Sequence, residues 1–249
     1  MGKLAGIIKL EGTLDGLTFY KSADGYLVRT KGGVSKTKIM NDPAFARTRE
    51  NLSEFGANAK SGKALRNSIG PLLHRAKDPK LSSRMLQMMN DIKNFDHSSA
   101  RGQRSVSVGI GSAEGKQLLK GFDFNVRAAL QTILRVPYVL EPETGTVSIS
   151  NFVAQEQLGF PESATHVSLR SAFVNLDFET GIFDSSYSPI TNLVVNNSVS
   201  EVSLTPALVP AGTGTQLYLL LIEFYQEVNG VQYSLRSGTF NVLNLIEVL

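Results

Sequence analysis

The sequence predicts an α+β protein whose N-terminal half is basic and helical and whose C-terminal half is acidic and antiparallel β. Three observations support this class: two Asp-Pro helix starts, an alternating apolar period of two after residue 121, and a division of charge. Residues 1–120 hold 21 of the 25 Lys and Arg but only 10 of the 22 Asp and Glu. We therefore expect a basic β-meander and helical module over residues 1–120. An acidic β-sandwich domain of immunoglobulin-like size is expected over residues 121–249.

The N-terminal stretch predicts a β-meander of three strands. These strands are expected over residues 4–10, 17–21 and 26–31. Asp24-Gly25 separates the last two, because glycine accepts the positive φ of a tight turn. Three short strands cannot bury a core alone, so one face of the meander must lie on another surface.

A helical hairpin is predicted to follow the meander. Asp42-Pro43 and Asp78-Pro79 each combine an N-cap acceptor with a proline in the first turn, where its missing N–H costs nothing. Apolar residues recur on one side of the first helix: Phe45, Leu52, Phe55 and Ala59. The second helix has an apolar seam at 4-3-4-3 spacing: Leu81, Met85, Met88, Ile92 and Phe95. Such a seam is typical of packing against a neighbouring helix.

Period-two patterns predict eight strands in the C-terminal half. They cover residues 122–126, 146–150, 166–177, 182–187, 199–204, 216–228, 231–236 and 239–248. Asn229-Gly230 is a strong type I′ hairpin signal. Leu217–Ile222 is almost continuously apolar and should be a central strand buried on both faces. The polar loop before this half is expected to carry a short strand at Val106–Ile110.

The N-terminal run resembles a family of uncharacterised bacterial proteins over roughly residues 1–104. The resemblance lies in Gly16–Lys21, Asp24–Ser35, Asn41–Asn51 and Glu54–Gly56, and continues at Gly62, Lys63 and Arg66. That family has no assigned activity, cofactor or partner. The resemblance therefore implies a recurrent module and no functional residue.

The sequence favours neither a catalytic site nor a metal or cofactor site. Cysteine is absent, which excludes disulfides, thiolate metal sites and cysteine nucleophiles. The three histidines, His74, His97 and His166, are far apart and lack ligand spacing. Gly56–Lys63 superficially resembles a P-loop, but it has one residue too many between its glycines and Ala64 in place of the Mg²⁺-binding hydroxyl. An enzyme is the weakest of three hypotheses.

We expect a cytoplasmic protein. The N-terminal sequence lacks the apolar core of a signal peptide, and no stretch approaches the ~20 apolar residues of a membrane span. Release from the cell by a route that needs no signal peptide stays an open alternative.

The leading hypothesis is a non-enzymatic structural subunit that self-assembles head-to-tail into a ring, tube or filament as a homo-oligomer. A positive module could dock on the negative half of the next copy, and such a contact is heterologous. Docking of the basic helices on the acidic half of their own chain would remove this motive. The candidate interaction surface comprises Phe19, Tyr20, Tyr26, Arg29, Lys31, Arg47, Arg49, Lys60, Lys63 and Arg66.

The alternative hypothesis is a nucleic-acid-binding accessory protein without sequence specificity. Arg49, Lys60, Lys63 and Arg66 would contact phosphates, and the meander tyrosines would stack on bases. No helix-turn-helix, zinc-finger or RNP-like sequence is present.

Overall fold

The computed structural model describes residues 2–3, 6, 9–22, 24–30, 32–76, 78–235 and 239–249. It confirms a mixed class of helices and antiparallel sheets. The chain divides into two compact units, Met1–Arg49 and Glu50–Leu249. This division differs from the expected one after residue 120. The reason is that helices of residues 50–120 share a hydrophobic core with strands of the C-terminal half.

The N-terminal unit contains a four-stranded antiparallel sheet with the order β1-β4-β3-β2. Its strands are β1 Gly2–Lys3, β2 Gly12–Leu14, β3 Leu17–Ser22 and β4 Gly25–Thr30. The expected first strand, 4–10, falls largely outside the described residues. Asp15 and Gly16 join β2 to β3 with positive φ values of 47° and 76°, the signature of a type I′ turn.

The segment after the sheet turns twice before the long helix begins. It forms α1, Lys36–Asn41, and a 3-10 turn, Pro43–Phe45. The Asp42 side chain accepts a hydrogen bond from the Ala44 N–H at 2.9 Å. This is the helix start predicted from Asp42-Pro43.

Seven further helices are described. They are α2 Ala46–Ser68, α3 Gly70–Leu73, α4 Leu81–Lys93, α5 Val106–Gly109, α6 Ala113–Leu119, α7 Leu130–Ile133 and α8 Ala154–Gln157. The prediction of a strand at Val106–Ile110 is wrong, because Val106–Gly109 is helical. The Ser105 hydroxyl caps this turn by accepting a hydrogen bond from the Val108 N–H. In α4 the buried seam includes Met89, while the expected Met88 is only partly buried.

The C-terminal half forms two antiparallel sheets. Its strands are β5 Val139–Glu141, β6 Thr146–Val153, β7 His166–Leu176, β8 Phe183–Tyr187, β9 Thr191–Val194, β10 Val199–Leu204, β11 Thr215–Val228, β12 Val231–Ser234 and β13 Val242–Val248. One sheet has the order β10-β6-β5; the six-stranded sheet runs β12-β11-β7-β8, with β13 also paired to β11 and β9 to β7. Asn229 and Gly230 have positive φ values of 53° and 76°, as the predicted type I′ turn requires. The expected strand 122–126 is reduced to one bridge, between Asp123 and Asn244.

Strand β11 separates two hydrophobic cores. Leu217, Leu219 and Leu221 contribute to a core shared with α2, α4 and α6. Their neighbours Tyr218, Leu220 and Ile222 contribute to a second core that also contains side chains of β6 and β10. Every residue of Leu217–Ile222 is buried, which confirms the predicted two-sided central strand.

The second unit compensates its own charge. Residues 50–249 contain 16 Lys and Arg against 18 Asp and Glu. Among the described residues, ion pairs join the helical region to the β half: Arg75 to Glu223 at 3.9 Å and Lys120 to Glu247 at 2.6 Å. The basic helices therefore pack on the acidic half of their own chain. The charge division seen in the sequence is consequently only weak support for assembly.

Candidate interaction surfaces

The N-terminal sheet has one apolar face. Side chains alternate across a strand, and the register places Gly12 opposite Phe19, Phe19 opposite Val28, and Leu14 opposite Leu17. The same face includes Tyr26. Lys21 lies on this face as well, opposite Tyr26. We call the apolar members, Leu14, Leu17, Phe19, Tyr26 and Val28, the apolar sheet face.

No described residue of the N-terminal unit is buried. Leu14 is 69% exposed, and Leu17 also belongs to the exposed class. Phe19, Tyr26 and Val28 are only half-buried. A sheet of this size gains independent stability from a covered hydrophobic face, and the described residues of this unit provide no such core.

The opposite face of the sheet is mainly polar, although Leu27 lies there opposite Tyr20. Thr13 and Thr18 bring their hydroxyls to 3.2 Å, and the Arg29 guanidinium lies 5.5 Å from the ring centroid of Tyr20. The predicted residues of the meander are thus divided between two faces. Tyr20 and Arg29 lie on the polar face, and Phe19 and Tyr26 lie on the apolar one. Lys31 lies outside the described residues.

The predicted arginines at the start of α2 differ in their surroundings. Arg47 is exposed. The Arg49 Nη1 donates hydrogen bonds to the carbonyl oxygens of Ile39, at 2.7 Å, and Asp42, at 2.9 Å. These bonds satisfy backbone acceptors at the end of α1, so Arg49 has a structural role here.

Helix α2 turns its large apolar side chains outward within the second unit. Leu52 and Phe55 are each 54% exposed, and Ala59 is also exposed. The buried side instead contains Glu54 and Asn58, together with Ser61, Gly62, Leu65 and Ser68. An apolar stripe on a helix normally faces the core, so this helix departs from the rule between residues 52 and 59. We call Leu52, Phe55, Ala59, Lys60 and Lys63 the α2 outer face.

A buried ion cluster accounts for the polar inner side of α2. The Glu54 carboxylate accepts hydrogen bonds from Lys93 Nζ at 2.7 Å, Arg104 Nη2 at 2.9 Å and Nε at 3.0 Å, and the Gly102 N–H at 2.8 Å. The bonds to Arg104, followed by those to Lys93 and Gly102, outweigh the effect of burial and lower the Glu54 pKa to about 2. With its donors in place, this cluster is a structural tie between α2, α4 and the loop before α5.

Three predicted cations lie along α2. Lys60 and Lys63 are exposed and Arg66 is half-buried. Among the described residues, none of these three has an acidic partner within ion-pair distance. At about 100° per residue, Lys60 and Lys63 border the exposed Leu52 and Ala59. The helix therefore presents apolar and cationic groups together.

The turn between β7 and β8 presents acidic and apolar groups. Asp177 accepts hydrogen bonds from the Thr180 hydroxyl at 2.6 Å and the Glu179 N–H at 2.8 Å, which lower its pKa. Ile182 is 72% exposed and Phe183 is 41% exposed. We call Asp177, Glu179, Ile182, Phe183 and Asp184 the acidic turn. The sequence did not predict this surface, because period-two alternation indicates a strand but does not show which of its side chains are exposed to solvent.

No metal-binding group was found among the described residues: no three His, Asp or Glu side chains come together in a way that could hold an ion. Within the same part of the chain, no helix combines the length and apolar character needed to cross a bilayer. The Gly56–Lys63 segment lies inside α2, where a Cβ at Gly62 would come within 3.1 Å of the Met85 side chain. Gly62 thus permits close packing of α4 and forms no phosphate loop.

No family model, no curated protein and no solved structure matches this chain.

Proposed function

We propose that the protein is a non-enzymatic structural subunit that self-assembles head-to-tail into a ring, tube or filament. One observation carries the proposal: the apolar sheet face belongs to a unit in which no described residue is buried. A contiguous exposed apolar patch on a protein often marks an interaction site. A neighbouring subunit would supply the missing cover.

The charge of the N-terminal unit indicates the kind of surface that receives it. Residues 1–49 contain nine Lys and Arg against four Asp and Glu. Exposed acidic side chains on the β half of the next subunit, such as Glu143, Glu156 and Glu162, are therefore suitable acceptors. Opposite charges steer encounter and suppress wrong pairings. A sheet face that meets a different surface on its neighbour is a heterologous contact, and repeated contacts of this type produce rings or filaments.

The second unit would act as the rigid part of the subunit. We regard the six-stranded and three-stranded sheets as a β-sandwich, supported by their common core. We regard α2 and α4 as a helical hairpin, supported by antiparallel contacts of Asn58 with Asn90 and of Glu54 with Lys93. Such a rigid body would hold the acceptor surface in a fixed geometry.

Light scattering on the full chain tests the assembly. We expect the mass to rise above that of a monomer over a micromolar concentration series in low salt, with ordered particles in electron micrographs. Leu14→Glu places a charge on the apolar sheet face and should abolish growth beyond small oligomers. Its matched control is Thr13→Glu, since Thr13 is adjacent, exposed and on the polar face.

The proposal fails if the wild type stays monomeric across the series. It also fails if L14E and T13E change the assembly equally, because the apolar face would then have no special role. Circular dichroism of both variants establishes that each retains its secondary structure.

The alternative, a nucleic-acid-binding accessory protein, is favoured by the exposed lysines of α2. Lys60 and Lys63 have no acidic partner among the described residues. Binding through phosphates would retard generic duplex DNA or RNA in a gel, and the affinity would fall steeply as salt rises. An absence of retardation in 50 mM salt would eliminate this alternative.

A further inference from the structure

We infer that a second copy of this chain docks on the α2 outer face through its acidic turn, in a two-fold arrangement. This contact is separate from the head-to-tail contact proposed above and does not depend on it. All of its residues belong to the second unit, Glu50–Leu249.

The α2 outer face exposes apolar side chains to water. Leu52 and Phe55 are more than half exposed on a helix whose inner side is occupied by a satisfied ion cluster. Turning this helix to bury the two apolar side chains would remove Glu54 from Lys93 and Arg104. The helix is therefore held with its apolar side outward, and a contact with a second copy would take Leu52 and Phe55 out of water.

The acidic turn has the complementary chemistry. Ile182 and Phe183 offer apolar contact, and Asp177, Thr180 and Asp184 line the same groove of about 250 Å³. Glu179 is exposed and uses only its backbone N–H in the turn. The exposed Lys60 and Lys63 on α2 would find acidic partners here, and Leu52 and Phe55 would contact the exposed Ile182 and Phe183.

Within one molecule, the acidic turn lies next to the C-terminal part of α2, close in sequence to Lys60 and Lys63. A Cβ placed at Gly181 would be 3.7 Å from the Cβ of Ala64 on α2. Further along, the Tyr187 hydroxyl of β8 donates to the Ser68 carbonyl at 3.2 Å. Strand β8 therefore lies alongside the C-terminal part of α2. A two-fold axis next to this junction would let each copy offer its α2 outer face to the other copy's acidic turn at the same time, which makes the contact isologous and closed.

The apolar sheet face of a second copy is a less suitable partner for the α2 outer face than the acidic turn. On that face, the Nζ atoms of Lys9 and Lys21 lie 5.4 and 5.8 Å from the ring centroid of Tyr26. Placing these cations against Lys60 and Lys63 would bring like charges together, which is costly at an interface. The acidic turn of a second copy has the opposite sign.

Charge reversal tests the contact on the full chain. We expect the K60E/K63E variant and the E179K variant each to lose the two-fold contact, with an increase of at least tenfold in the dissociation constant measured by sedimentation. Mixing the two variants should restore the contact. In the mixed pair, the reversed residues of α2 meet the reversed turn, while the native lysines meet the native acidic turn. A matched control, K80E/R127E, reverses two exposed cations elsewhere and should associate like the wild type.

The L14E variant separates this inference from the proposed function. L14E lacks growth through the sheet face, so it should sediment as a dimer, and L14E/K60E/K63E should sediment as a monomer. If L14E is already monomeric, or if the mixture of K60E/K63E with E179K does not recover, the inference is overturned. A wild type that forms dimers and nothing larger would support the inference and contradict the proposed function. Folding of each variant is verified by its thermal unfolding curve.

Discussion

Glu54 of α2 and Lys93 of α4 form a buried ion pair with 2.7 Å between Oε2 and Nζ. Only 3% of Glu54 is exposed, and its remaining acceptor capacity is taken by Arg104 and the Gly102 N–H. The pair fixes which side of α2 faces the core. It thereby leaves Leu52 and Phe55 on the surface.

Removal of the Glu54 carboxylate should destabilise the second unit. We expect Glu54→Ala to lower the free energy of unfolding by about 3–5 kcal/mol, because Lys93 keeps its charge in a buried site without a partner. The control is Glu50→Ala, which breaks the more exposed pair of Glu50 with Arg101 at 3.3 Å and should cost less than about 1 kcal/mol. Urea unfolding followed by circular dichroism measures both values. Equal losses in the two variants would contradict a special role for the buried cluster.

The same carboxylate should make stability depend on pH in the acid range. The folded-state pKa of Glu54 is lowered from 4.5 to about 2. Since the folded value lies below the unfolded value, the stabilisation is complete above about pH 4.5 and is lost as the pH falls towards 2. The wild type should therefore lose roughly 3 kcal/mol more than Glu54→Gln between about pH 5 and 2. Urea midpoints over this range provide the comparison, and parallel curves would show that Glu54 is not the titrating group.

Two glycines should respond in opposite directions to the same substitution. A Cβ at Gly109 would lie 2.2 Å from the Ile92 carbonyl oxygen, whereas a Cβ at Gly56 meets nothing within 4 Å. Gly109→Ala must displace α4 or α5 and should lower the melting temperature. Gly56→Ala lies in an open position of α2 and should stabilise by about 0.5–1 kcal/mol, because glycine is a poor residue for a helix interior. Differential scanning fluorimetry distinguishes the two, and a stabilised G109A would be inconsistent with the packing described.

Two neighbouring methionines of α4 should differ in how much they contribute to stability. Met89 is fully buried, while Met88 is only partly buried. Met89→Ala should cost about 2–5 kcal/mol through lost contacts and a cavity, and Met88→Ala should cost clearly less. Chemical unfolding of both variants tests which of them belongs to the seam. A larger loss for M88A would favour the spacing expected from the sequence.

Local signals predicted much of the secondary structure. Asp42-Pro43 predicted a capped helix start, and Asn229-Gly230 predicted a type I′ turn, because in each case the conformation depends on one or two residues. The long strand β11 was recognisable from its unbroken apolar run. The short strands β5 and β9 were not predicted, since three or four residues carry too little periodicity.

The candidate surface was harder to predict, because exposure depends on partners distant in sequence. Phe19 and Tyr20 are adjacent in sequence yet lie on opposite faces of a sheet. The sequence favoured Arg49 as an interaction residue, but the carbonyl oxygens of Ile39 and Asp42 accept its hydrogen bonds. Phe55 appeared in an apolar stripe, but the inward side of α2 is decided by Lys93 and Arg104, which lie 39 and 50 residues from Glu54.

By itself, the amino-acid sequence determined the mixed class, the main strands of the C-terminal half and the absence of cysteine chemistry, because each follows from composition or from neighbouring residues. Only the tertiary structure decided that the basic helices pack on the acidic half of the same chain, and that α2 presents Leu52 and Phe55 to solvent. Both depend on contacts between segments far apart along the chain. A buried carboxylate with two cationic partners outweighs the local preference of a helix to turn its apolar side inward.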